Sequence, residues 1–155
     1  METPIPEERD DRSDPDLLDT PVLPALGLSL SAMAAIFVGG AIGTLLRYLL
    51  EVHHPISQGG FPWPTLVVNL SGSLAIGVIL PLTEHVSRRL PLFRPLLVVG
   101  FLGGWTTYST LAVEATLLAK DGHALTGLAY LAATLAGGIV LVMVGHDAGK
   151  RLVPT

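Results

Sequence analysis

Beyond residue 24 the chain alternates long apolar runs with short polar breaks. The first run, Ala25 to Leu50, carries one charge, Arg47, near its end. The second, Phe61 to Leu82, opens with Pro62 and Pro64, which suit a first helical turn because proline lacks an N–H that would be unpaired there. The third, Pro95 to Ala119, contains Gly100, Gly103, Gly104 and Glu114, and the fourth, Ala124 to Gly145, is uncharged. A helix crosses about 30 Å of hydrocarbon with roughly 20 predominantly apolar residues. The pattern therefore predicts an all-α membrane protein of four transmembrane helices, spanning residues 25–151. Residues 1–24, with five prolines, are expected to be a disordered acidic tail.

Charge sharpens this picture. Of 155 residues only 14% are charged, against about 25% in a soluble domain. Ten of the charges stand at residues 2–19, eight of them acidic, so the net −4 belongs to the tail and the remainder is +2. These figures exclude an ordinary soluble enzyme, a nucleic-acid binder and a coiled coil. With no cysteine there is no disulfide, thiolate metal site or Cys nucleophile. The acidic start argues against a cleaved signal peptide. An even number of spans puts both termini on one side. Arg88, Arg89, Arg94, Lys150 and Arg151 share that side, against Arg47 and Lys120 opposite, which predicts both termini in the cytoplasm.

The third run holds the densest chemistry: Gly100-Phe101-Leu102-Gly103-Gly104-Trp105-Thr106-Thr107-Tyr108-Ser109-Thr110. Three glycines weaken the helix, each by about 1 kcal/mol relative to Ala. Four serine and threonine hydroxyls stand ready to satisfy freed backbone groups. Two readings are open: a kinked helix with small packing faces, or a broken third helix. A break is tolerated in a membrane only where it is buried in protein or lines a cavity, and it exposes backbone groups to ions. On the second run, Thr65, Asn69 and Ser73 are four apart and share a face; on the fourth, Tyr130 and Thr134 do the same. These tracks of amide and hydroxyl donors suit a small anion better than a cation.

Arg47 and Glu114 are the charges inside the runs, and intramembrane ionisable residues invite a functional reading. Arg47 either snorkels to the interface as a structural residue or lines a vestibule. Glu114, seven residues beyond Thr107 and four beyond Thr110, lies on the polar side of the third helix. His53 and His54 lack neighbouring ligands, and no nucleophile–base pair stands out, so neither a metal site there nor catalysis is expected. Gly39-Gly40-Ala41-Ile42-Gly43-Thr44 lacks the lysine of a phosphate-binding loop. Small residues paired at four-residue spacing (Gly39 and Gly43, Ser73 and Gly77, Ala133 and Gly137) allow close helix packing. Four spans enclose little space, so a pore or cavity would need a second subunit.

Taken together, Gly39-Gly40-x-x-Gly43-x-x-x-Arg47-Tyr48, Thr65-x-x-x-Asn69-x-x-Gly72-Ser73 and Gly100-Phe101-x-Gly103-Gly104-x-Thr106-Thr107-x-Ser109-Thr110 with Glu114 resemble the CrcB/Fluc fluoride channel family. The resemblance covers all four spans in order. It implies passive export of cytoplasmic fluoride through a dimer of antiparallel subunits in the cell membrane, with two pores and a structural sodium ion. It places the sodium on the backbone carbonyls of Gly103 and Thr106, and the fluoride pathway on Asn69, Thr65, Thr107, Tyr108, Thr110, Thr134 and Glu114. One departure stands out. The family pattern Thr-Thr-Phe-Ser-Thr-Phe has two pore-facing phenylalanines where this chain has Tyr108 and Leu111. That departure and the biased loop charges together imply a fixed-orientation subunit paired with a paralogue. Two other readings compete. A four-span proton-coupled cation or drug exporter also forms antiparallel dimers, but it needs a carboxylate early in the first span, which is absent here. A non-conducting partner subunit is the other.

Overall fold

The computed structural model describes residues 29–87 and 89–153. The expected acidic tail, and residues 25–28 at the start of the expected membrane domain, lie outside the described residues. All regular structure among the described residues is helical. Helix α1 is Leu30–His53 and α2 is Trp63–Val86. Arg94–Leu102 (α3) winds as a π-helix and continues directly into the short turn Gly103–Trp105 (α4). Tyr108–Lys120 (α5) and Ala124–Leu152 (α6) complete the chain. Four segments are long and apolar enough to cross a membrane: α1, α2 up to Thr83, Arg94–Lys120 and α6. The protein is thus a multi-pass membrane protein.

Local chemistry accounts for the helix ends. The Ser29 hydroxyl caps α1 by accepting from the Ala32 amide. Pro62 caps α2 and Pro64 sits in its first turn, where no hydrogen bond is lost. Gly59 and Gly122 take positive φ in the two turns on the same side of the bundle, a conformation that strains other residues. Helix α6 outlasts the apolar run by nearly two turns. Gly145 and Gly149 hold it against the α2 backbone at Leu74 and Val78, so packing carries the helix past the point where hydropathy fails.

The helices associate in pairs: α1 lies along α3 and α4, while α2 lies along α6, which also receives α5. Glycines set both close contacts. A Cβ on Gly39 or Gly43 would run into the backbone of Leu96 or Phe101, and one on Gly104 into the Gly40 carbonyl. A Cβ on Gly77 would meet Val142. In lipid, where water exclusion does not drive helix association, such backbone approach supplies the van der Waals contact that does. The small buried core is Leu66, Leu111 and Tyr130, flanked by Phe61, Leu70, Ala115 and Leu131.

Candidate ion pathway

The glycines of the third span remain helical, and its irregular backbone falls just after them. Thr106 (φ −81°, ψ 156°) and Thr107 (φ −146°, ψ 126°) are extended between α4 and α5. Extended residues break the pairing of each N–H with the carbonyl four residues back. Every freed group then needs another partner. Asn69 of α2 provides two: its side-chain oxygen accepts from the Thr107 amide at 2.8 Å, and its amide donates to the Thr107 carbonyl at 3.0 Å. The Thr107 hydroxyl caps α5 by accepting from the Thr110 amide at 3.1 Å, and donates to the Thr110 hydroxyl at 3.0 Å. Two amides are thereby diverted. In an unbroken helix the Thr107 N–H would serve the Gly103 carbonyl, and the Thr110 N–H the Thr106 carbonyl.

The turn before the extended residues is tied down from both sides. Trp105 Nε1 donates to the Ser71 hydroxyl on α2 at 2.9 Å, with its ring stacked on Phe101 at 6.3 Å. Across on α1, Arg47 Nε donates to the Gly104 carbonyl at 3.2 Å and its Nη1 pairs with Glu51 at 3.2 Å. The Thr44 hydroxyl reaches the same Gly104 carbonyl at 3.5 Å. Arg47 is therefore held by partners on both α1 and the third span. A Cβ added at Gly103 would meet nothing within 4 Å, so that residue faces open space outside the subunit.

A groove of about 440 Å³ brings together Asn69, Gly103, Thr106, Thr107, Tyr108 and Thr134, along with Ser73, Leu111 and apolar side chains. None of its lining residues is charged. Thr134 is buried there, its hydroxyl donating to the Tyr130 carbonyl of its own helix at 2.8 Å. Tyr108 is 81% exposed and Leu111 only 4%, so the two positions where the resemblance puts phenylalanines have opposite surroundings. Leu111 fills the core beside Leu66 and Tyr130.

Thr65 and Glu114 meet outside this groove. The Thr65 hydroxyl donates to Glu114 Oε1 at 2.9 Å and the Tyr130 hydroxyl to Oε2 at 2.6 Å. Phe61 packs edge-on against the Tyr130 ring at 5.6 Å. The carboxylate also lines a cavity of about 200 Å³ beneath the loop Ile56–Gly60. Thr110 joins the assembly only through Thr107, and Arg47 stands on the far side of the third span. His53 and His54 turn back onto the Leu49 and Leu50 carbonyls of α1. The sequence reading gave no role to Glu51, Ser71 or Trp105. The i, i+4 spacing of Arg47 and Glu51 was a usable signal; the Trp105–Ser71 contact had none.

Comparison with known proteins bears on this arrangement. Residues 34–146 match the family model described as CrcB-like protein, Camphor Resistance (CrcB). The chain is 40% identical over 123 residues to Fluoride-specific ion channel FluC 2 of Nocardia farcinica, covering 79% of this chain and 88% of that protein. It is 40% identical over 121 residues to Fluoride-specific ion channel FluC 1 of Streptomyces coelicolor, with 78% and 79% covered. It is 43% identical over 107 residues to Fluoride-specific ion channel FluC of Chlorobaculum tepidum, with 69% and 85% covered. With the match running through all four spans and the groove residues, the chain belongs to the CrcB family.

Proposed function

We propose that the protein is a fluoride-specific channel subunit that lets cytoplasmic fluoride leave the cell down its gradient. The observation that carries this reading is the uncharged groove where Asn69, Thr107 and Thr134 converge on the extended residues of the third span. Fluoride is small and strongly hydrated, so amide and hydroxyl groups must replace its water for it to pass. The ring edge of Tyr108 adds partial positive charge. Thr134 presents its donor by turning its hydroxyl away from the Tyr130 carbonyl. Farther along, an arriving anion competes with the Glu114 carboxylate for the hydroxyls of Thr65 and Tyr130. The relatives named above are fluoride channels, which disfavours the drug-exporter reading.

The active unit in this reading is an antiparallel dimer in the cell membrane, both termini of this subunit being cytoplasmic. The outward position of Gly103 and the open groove support completion by a second subunit. The resemblance also implies a structural sodium ion, and the residues present fit one. The Gly103 and Thr106 carbonyls have lost their helical donors, and neutral backbone oxygens suit a hard monovalent cation. These carbonyls would hold the ion, which would supply positive charge to a site otherwise lined by neutral oxygens. A partnership with a paralogue, or a non-conducting role in such a pair, is favoured by one observation: Leu111 is buried in the core where the family pattern has an aromatic.

Fluoride efflux from liposomes containing the purified chain, alone and with a candidate paralogue, tests the proposal. Efflux in either preparation is expected, and efflux only in the mixture establishes the pair. Absence in both sinks the channel reading. Reporter fusions showing equal amounts of both orientations would overturn the fixed topology.

A further inference from the structure

The intramembrane arginine remains unexplained by a pathway of uncharged donors. We propose that Arg47, assisted by Thr44, is a positioning residue that determines which backbone carbonyls of the third span are free to hold a cation. This rests on the sodium reading given above. The extended residues Thr106 and Thr107 leave a run of carbonyls without their usual donors. The Leu102 carbonyl keeps a partner, since it accepts from both the amide and the hydroxyl of Thr106 at 3.0 Å. The Gly104 carbonyl would have taken the Tyr108 N–H, which now lies beyond the interruption. It takes the Arg47 guanidinium and the Thr44 hydroxyl in its place. The carbonyls of Gly103 and Thr106 receive no such substitute from the amides that would have served them. Capping Gly104 from the α1 side therefore holds α4 against α1 and takes its carbonyl out of the set left for an ion, which is Gly103, Thr106 and Trp105, whose Ser109 N–H likewise lies beyond the interruption.

The chemistry calls for arginine. Its guanidinium is a planar fork whose Nε donates one way, to Gly104, while Nη1 donates another, to Glu51. Glu51 also offsets the guanidinium's charge close to a cation site. A lysine ammonium can keep one of these contacts in strength but not both in the same geometry.

The test is fluoride efflux from proteoliposomes of the full chain, with its partner if one is required, across a series of sodium concentrations. Thermal unfolding in detergent with sodium or with N-methylglucamine gives a second readout. For Arg47→Met the sodium concentration giving half-maximal efflux is expected to rise about tenfold, the equivalent of losing one charge-assisted hydrogen bond. Efflux at saturating sodium should stay within about twofold of the parent, because the pathway itself is untouched. The sodium-induced rise in unfolding temperature should shrink in step. Arg47→Lys should recover part of the loss, and Thr44→Val should raise the half-maximal concentration about twofold. Equal loss of efflux at every sodium concentration, or an unchanged half-maximal value in Arg47→Met, overturns the proposal. Should that variant not fold, unchanged sodium dependence in both Arg47→Lys and Thr44→Val overturns it equally. A parent protein indifferent to sodium in both measurements overturns the sodium reading itself, a result distinct from a sodium-responsive parent whose variants respond alike.

Discussion

The two halves of the third span are built on opposite principles. The half before Thr106 is a glycine seam: Gly100 and Gly104 lie against Gly39, Gly40 and Thr44 of α1 at distances that admit no further carbon atom. The half after Thr107 is a polar seam, where Glu114 draws hydroxyls from α2 and α6 and Asn69 holds the junction. The glycine seam gains its stability from shape, so it fails by collision. The polar seam gains little net stability, because in a membrane each hydrogen bond contributes about 0.6 kcal/mol over the alternatives the unfolded chain finds. In the proposed pathway it is the part available to exchange partners with an ion. Rigidity and exchange are thus separated along one span, and the extended pair Thr106–Thr107 is the joint between them.

The largest expected effect attacks the rigid half. Gly43→Val puts side-chain carbons into the Phe101 carbonyl and the Trp105 amide, both backbone atoms that cannot rotate away. A loss of about 3 kcal/mol or more is expected, read as lost monodisperse protein on size exclusion and a lowered unfolding temperature. A normally folded Gly43→Val would show that the seam is not rigid. Next comes the joint. Asn69→Asp keeps an acceptor for the Thr107 amide but sets a negative charge against the Thr107 carbonyl and in the proposed path of an anion. Fluoride efflux should fall at least about a hundredfold, with a much smaller change in stability. Efflux within a factor of a few of the parent would remove Asn69 from the pathway. The smallest effect belongs to the polar seam. Tyr130→Phe deletes one hydroxyl donated to Glu114 and should cost about 1 kcal/mol or less in stability. Efflux should change more than stability does; an unfolding-temperature loss matching that of Gly43→Val would erase the distinction between the halves.

Much of this architecture was legible beforehand, though unevenly. Four spans followed from runs of apolar residues, and Thr65, Asn69 and Thr134 stood out as polar groups on helix faces. The irregular backbone was harder to place. Three glycines drew attention to Gly100, Gly103 and Gly104, yet those residues stay helical: the missing side chains of Gly100 and Gly104 admit α1, and Gly103 faces open space. The extended residues are threonines, held open by an asparagine 38 positions earlier. Helix α6 likewise runs on through Lys150 and Arg151, since its glycines pack against α2 irrespective of hydropathy. Tyr108 and Leu111, three apart on one helix, both stand where the family pattern puts pore-facing phenylalanines; one is exposed and the other sits in the core.

What the chain determined by itself is the number, length and apolar character of its spans, because insertion into hydrocarbon depends on the local sum of transfer energies along each segment. Only the tertiary structure decided the partners of the groups that such sums penalise. Arg47 and Gly104 are 57 residues apart, and Thr65 and Glu114 are 49 apart. Whether a buried donor meets its acceptor depends on angstrom-scale helix approach, which glycines set between α1 and the third span and between α2 and α6, and no pattern within a single segment encodes it.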